Sequence, residues 1–298
     1  MAANSGTPST RRRRTFARVM ATATVVAGAL MTTGAVQAAW AAGDPSPKIV
    51  GGGPADQTYP FMVSIQYSHN GDPDSHRCGG ALIRKEWVVT AAHCVQTSGS
   101  DSSTSVPLDP ALLHVRIGSN DRTAGGTVSY TDKIVVAPGH INYPDRELGG
   151  DIALLHLTTA QSAVKTIPMD VVLPNPGVGV REIGWGYTSN DDSDPSQLPT
   201  QLQQLDTTVL PASTRKCHVD ENGSDAWGIR PGDICADNPD GVRGPCGGDS
   251  GSPLLMRVNG HWRLEGVDSR GVSDVCGGGP DIYTGVGPNA GWINSVVS

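Results

Sequence analysis

At 298 residues and a formal charge of −7, the chain is long enough for one large all-β domain. The six basic residues and one acidic residue before Ile49 leave 16 basic and 28 acidic residues after it, a balance of −12 that excludes nucleic acid and anionic membrane surfaces as electrostatic partners. A hydrophobic content of 37%, with 38 Gly and 22 Pro, suits a turn-rich β protein with an adequate core.

Residues 1–41 read as a signal peptide and 42–48 as a short propeptide. Arg11 to Arg14 precede an uncharged stretch from Val19 to Gly43, with Ala39-Trp40-Ala41 as a small-residue cleavage site and Val36-Gln37-Ala38 as a second. Arg13-Arg14-Thr15-Phe16 is similar to a twin-arginine signal, and an ordinary Sec signal is the alternative. Both predict a secreted, extracellular protein. The stretch is poor in Leu, Ile and Phe, so no stable membrane association is expected.

From Ile49 onward, short runs of Val, Ile, Leu, Thr and Tyr are punctuated by Gly, Pro, Asn and Asp. Phe61–Ile65, Leu113–Ile117 and His261–Val267 predict antiparallel strands in a sandwich or barrel. Thr97–Pro107 and Thr188–Pro199 read as polar, exposed and mobile loops, the second an autolysis site or simply a solvated loop. Helical periodicity is confined to the end, Ala290 to Val297. All six cysteines follow Ile49, which fits an oxidising compartment. Sequence alone does not choose their pairing. No C-x-x-C pair supports a metal site.

Three motifs carry chemistry. Thr90-Ala91-Ala92-His93-Cys94, Asp151-Ile152-Ala153-Leu154-Leu155 and Gly247-Gly248-Asp249-Ser250-Gly251-Ser252-Pro253 supply a base, a base-orienting acid and a nucleophile. A serine hydroxyl needs an imidazole to take its proton and a carboxylate to hold that imidazole in one tautomer. The chain order His, Asp, Ser excludes an α/β-hydrolase, whose order is Ser, Asp, His and whose elbow needs Gly where Ser252 stands. It also excludes the subtilisin order of Asp, His, Ser.

With Ile49-Val50-Gly51-Gly52, Cys78–Ile83, Gly184-Trp185-Gly186, Ser269-Arg270-Gly271 and Tyr283-Thr284, these motifs resemble the trypsin/chymotrypsin family of serine peptidases, including its secreted bacterial members. The resemblance covers Ile49 to Ser298. It implies an all-β fold of two six-stranded antiparallel barrels, about 49–163 and 164–298, with the crossover near Thr159–Pro168, the active site in the cleft between them and a short C-terminal helix. His93 and Asp151 would come from the first barrel and Ser250 from the second. The Gly248 and Ser250 N–H groups would form the oxyanion hole. The implied disulfides are Cys78–Cys94, Cys217–Cys235 and Cys246–Cys276. A cut between Lys48 and Ile49 would free an amine for Asp249. No cofactor or metal is implied: the glutamate of calcium-binding members is missing after Val115-Arg116-Ile117-Gly118. Partners would be protein or peptide substrates and proteinaceous inhibitors, and the protein a monomer.

Specificity is where the residues depart from a simple trypsin. Gly244 falls at the base of the pocket for the side chain before the scissile bond (P1), where a trypsin has aspartate. Ser269 and Gly271 form one wall, and Asp281 stands in Pro280-Asp281-Ile282-Tyr283 at a wall position usually held by glycine. The collagenolytic brachyurins are similar, with the acid moved from base to wall. A buried carboxylate needs a partner, and a substrate Lys or Arg would supply one. If Asp281 turns outward instead, chymotrypsin- or elastase-like or broad specificity follows. Ser252 replaces the usual second glycine of the nucleophile motif, and Arg270 a common tryptophan that affects binding before the scissile bond. A catalytically silent binding homologue is the remaining alternative, although no triad member is lost.

Overall fold

The computed structural model describes residues 49–97, 105–138, 140, 150–189 and 197–298. The expected signal peptide and propeptide, and most of the two polar loops, lie outside the described residues. Six strands make the first barrel: β2 (Met62–His69), β3 (Asp72–Arg84), β4 (Trp87–Thr90), β5 (Leu113–Ile117), β6 (Thr127–Val136) and β7 (Ala153–Leu157). They close antiparallel in the order β2-β3-β4-β7-β6-β5. In β5, Leu113, Val115 and Ile117 point inward while His114 and Arg116 are half-buried, the two-residue period of a strand with one face on the core. β4 and most of β7 are buried throughout, as their unbroken apolar runs require.

The remaining strands form one sheet. They are β1 (Gly53–Pro54), β8 (Gly179–Gly184), β9 (Gln203–Thr208), β10 (Asp233–Ala236), β11 (Pro253–Val258), β12 (His261–Gly271) and β13 (Asp281–Gly285), in the order β1-β9-β8-β11-β12-β13-β10. An isolated bridge between Val209 and Ala236, flanked by Leu210 N donating to Cys235 O (2.8 Å) and Asp237 N donating to Thr208 O (2.9 Å), joins the ends of β9 and β10. The second barrel is therefore closed by a few bonds rather than by a full ladder. Although β1 comes first in the chain, it pairs with β9 of the second barrel.

One core cluster runs through both barrels and includes Leu82, Val89 and Leu154 from the first, and Trp185, Leu255 and Val267 from the second. The C-terminal helix α1 (Val286–Val297) adds Val286 and Ile293 to it. It starts four residues before the predicted Ala290, because Pro288 falls in its first turn, where a missing N–H is tolerated. Arg84 Nη2 donates to Asn294 Oδ1 (3.2 Å) and ties the helix to β3. No described helix is long and apolar enough to cross a membrane. The three disulfides are those the resemblance implies, and no cysteine is free.

Backbone bonds stitch the barrels together at the nucleophile segment. Gly79 N on β3 donates to Ser250 O (2.8 Å), and Gly251 N donates to Asp268 O on β12 (2.7 Å). Gly251 has φ 76°, and a Cβ there would overlap Thr90 Oγ1 and lie 2.6 Å from Gly79 O. Gly260 has a similar φ of 79° but open space around it. Gly260→Ala should then carry only the left-handed penalty, roughly 1–2 kcal/mol, and keep its activity. Gly251→Ala adds overpacking at the seam, so its Tm should fall by roughly 5–15 °C, with most activity lost. Equal Tm changes in calorimetry would show that the seam is not tightly packed.

Candidate active site

His93 sits in a 3₁₀ turn, Ala92–Val95, immediately after β4. Ala91 and Ala92 before it are fully buried, so small residues are required there. The Cys78–Cys94 disulfide joins this turn to β3. The sulfurs of Cys78 and Cys94 lie close to His93, but as a disulfide they offer no thiolate to a metal.

Asp151, just before β7, is buried and surrounded by donors. His93 Nδ1 lies 2.7 Å from its Oδ2, and His93 N donates to its Oδ1 (2.9 Å). Ser269 Oγ, from the second barrel, donates to Oδ2 (2.8 Å), and His140 Nε2 is 3.7 Å from Oδ1. Burial alone would push this carboxyl up, but the His93 imidazole and its hydrogen bonds, helped by His140, hold it well below the usual carboxylate range. An ionised Asp151 only accepts hydrogen bonds, so Nδ1 of His93 carries the proton and Nε2 is left with a lone pair.

Ser250 opens onto a cavity of about 150 Å³, also lined by Gly247, Asp268, Gly271, the Cys246–Cys276 disulfide and Asp281. Gly248, with φ 97°, has its carbonyl 2.9 Å from His76 Nε2. A carbonyl only accepts, so Nε2 donates, and Nδ1 accepts from Ser64 Oγ (2.8 Å). Burial lowers His76 to about 4, so it is neutral at physiological pH. His76 and Ser64 thus pin the peptide unit after Gly248. Sequence reasoning missed both, since a histidine inside a strand reads as a structural core residue.

Asp249 is buried beside the cavity and accepts from Gly186 N (2.7 Å) and Cys246 N (3.0 Å). Burial pushes its carboxyl up to about 6 against those two bonds. Ile49 is buried at φ 36°, and Gly244 N donates to Val50 O (3.1 Å), which docks the Ile49-Val50 segment against Gly244.

Asp281 opens β13 opposite Gly271 and Ala236 and is only 5% exposed. A Cβ at Gly244 would lie 2.7 Å from Asp281 Oδ2, and one at Gly271 3.4 Å from Oδ1. The carboxyl therefore lies between Gly244 and Gly271 and does not turn outward. Arg270 is drawn inward. It donates to Trp227 O (3.1 Å), Gly228 O (2.9 Å) and Ser269 Oγ (2.9 Å), and pairs with the buried Asp233 at 2.5 Å. Asp233, far away in sequence, gave no signal. Ser252 Oγ lies buried, in the space that a Cβ on Gly79 would need.

The family model described as Trypsin matches residues 49–293. The chain belongs to the trypsin family. Chymotrypsin-like elastase family member 1 from Homo sapiens is 33% identical over 265 residues, covering 84% of this chain and 93% of the relative. The same protein from Canis lupus familiaris is 33% identical over 262 residues, with the same coverage. The narrower resemblance to bacterial members draws no support from these mammalian relatives. As a trypsin-family member the protein is a serine endopeptidase, a hydrolase acting on peptide or protein substrates.

Burial gives this trypsin-family fold a distinctive pH response. Asp268 is pushed up to about 8 by burial and then by Asp249, and Glu265 to about 8 by burial and then by Asp170. The folded state keeps these protons where the unfolded chain, at ordinary values of 3.8 and 4.5, has lost them. Stability therefore falls as pH rises towards the folded values. The opposite effect of His76 is complete by neutral pH, since its folded value lies below the unfolded 6.5. The Tm of the Ser250→Ala protein should fall from pH 6 to pH 8, and a flat or rising Tm over that range would contradict the assignment.

Proposed function

We propose that the protein is a secreted, zymogen-activated serine endopeptidase that cleaves after Lys or Arg. The observation that carries the catalytic reading is the 2.7 Å contact of His93 Nδ1 with a buried Asp151, beside the cavity that Ser250 opens onto. Ser250 Oγ attacks the scissile carbonyl carbon while His93 Nε2 takes the hydroxyl proton. The carbonyl π pair moves onto oxygen, where the N–H groups of Gly248 and Ser250 receive it. The oxyanion re-forms the carbonyl, the C–N bond breaks, and His93 returns its proton to the leaving amine. Water then attacks the acyl-enzyme by the same route, giving the free acid and restoring Ser250. Asp151 holds the tautomer throughout and stabilises the imidazolium.

Ser250→Ala or His93→Ala should reduce kcat by roughly 10⁶ without loss of fold. Wild-type activity should rise with pH as His93 loses its proton. More than a few per cent of wild-type activity in a verified Ser250→Ala preparation would refute the catalytic reading.

Secretion is supported by the basic, then uncharged N-terminus and by the three disulfides. Zymogen activation is supported by Lys48 before Ile49-Val50-Gly51-Gly52, by the docking of Val50 on Gly244 and by the burial of Asp249 without a cation bonded to it among the described residues. A β-branched Ile49 at positive φ is strained while the chain continues through its nitrogen, and cutting that bond removes the torsion. The freed amine would pair with Asp249, a buried ion pair whose disruption costs roughly 3–5 kcal/mol. N-terminal sequencing of the active species should therefore start at Ile49, and Asp249→Asn should be nearly inactive even after correct cleavage. An active form beginning elsewhere would refute this step.

The preference for Lys or Arg is supported by Asp281 inside the cavity. The names of the two elastase relatives and the glycine at position 244 favour a second reading, an uncharged P1 side chain.

A further inference from the structure

Two buried carboxyl groups line the P1 cavity, and a third acts on both. Asp281 on β13 and Asp268 on β12 both line it, and Glu182 on β8 is close enough to act on each electrostatically. Buried acids are normally satisfied by donors or cations. Here Asp268 Oδ1 lacks a hydrogen-bond partner, and the Tyr283 hydroxyl is the one donor close to the buried Glu182 among the described residues. Asp281 accepts no side-chain or backbone hydrogen bond among the described residues.

The charged groups around them do not make up the deficit. Asp249, in the nucleophile segment, adds a further carboxyl, and Asp274 stands on the cavity rim. Arg270 and His93 act on Asp268, but Arg270 is paired with Asp233 on β10 and His93 with Asp151. The Tyr283 hydroxyl on β13 lies beside Glu182. Among the described residues, the charges that act most on Asp281 are the carboxyls of Glu182, Asp268 and Asp249.

We propose that Asp268 and Glu182, together with Asp281, set P1 specificity: the three acids hold protons when the pocket is empty or contains an uncharged side chain, and a cationic P1 side chain displaces one of them. This rests on Asp281 being the acid that meets P1. Lys or Arg binding then releases a proton to solvent and leaves a carboxylate opposite the cation. An apolar side chain binds the protonated pocket without that exchange. Burial first, then Glu182, Asp268 and Asp249, push Asp281 well above the usual carboxylate range, which agrees with this arrangement. Burial likewise raises Glu182, with Asp268 and Asp249 adding to it. The pocket would therefore serve both specificities, apolar at low pH and basic at high pH.

The test compares kcat/KM for two peptides that differ only at P1, Arg against norleucine, from pH 5.5 to 9 on the activated enzyme. His93 and Asp249 act on both substrates, so their titration cancels in the ratio. The Arg-to-norleucine ratio should rise with pH, approaching roughly tenfold per unit below its midpoint. Glu182→Gln and Asp268→Asn, each removing one of the coupled acids that share the protons, should shift that midpoint. Asp281→Gly should lower the ratio at pH 9 by roughly tenfold or more. A ratio that favours Arg but is flat with pH, or is unmoved by both neighbouring variants, would overturn the three-acid proposal and leave the Lys/Arg reading intact. A ratio that favours norleucine at every pH would overturn both. The wild-type profile decides between these outcomes even if a variant fails to fold.

Discussion

One buried carboxylate organises the centre of this molecule. Asp151 lies on the seam between the barrels, where an unmatched charge would be untenable. Its donors come from both sides: the imidazole and backbone N–H of His93 from the first barrel, the hydroxyl of Ser269 from the second. Matching that charge therefore fixes how the β4 turn meets β12. The same seam carries the bonds from Gly79 to Ser250 and from Gly251 to Asp268. His93 and Ser250 are thus held from opposite barrels by contacts that neither barrel makes alone.

Electrostatics beyond Asp151 follow the same logic with a different outcome. Ser269 also accepts from Arg270, which pairs with Asp233, so a chain of charge-assisted bonds runs from β10 to His93. Every side chain in that run is bonded to the next, with only Asp233 Oδ1 left over. The acids around the P1 cavity have no such run, and neutral forms stabilised by burial take the place of partners. The first arrangement suits a group that must stay ionised in every step. The second suits a pocket whose charge is completed by what enters it.

Much of this was legible in the sequence because it is local. His93, Asp151 and Ser250 each sit in a short motif whose small neighbours are fixed by close packing, and chain order separates this arrangement from other hydrolases. The strand alternation of Leu113–Ile117 was readable in the same way. Non-local features were not. A two-residue β1 pairing with β9 across some 150 residues leaves no pattern in its own composition. Glu182 and Asp268 occupy strand positions where an acid ordinarily faces solvent, and only the packing of β8 and β12 buries them. His76 and Asp233 act through partners far away in the chain. The early start of α1 was hidden by Pro288, which reads as a breaker until its place in the first turn is known.

The most direct measurement is covalent labelling of the activated protein with a peptide phosphonate, followed by intact mass and peptide mapping. The account predicts one adduct per chain, on Ser250, with the rate collapsing in His93→Ala. An adduct on another residue, or equal labelling rates in wild type and His93→Ala, would contradict the assembly of base and nucleophile across the seam.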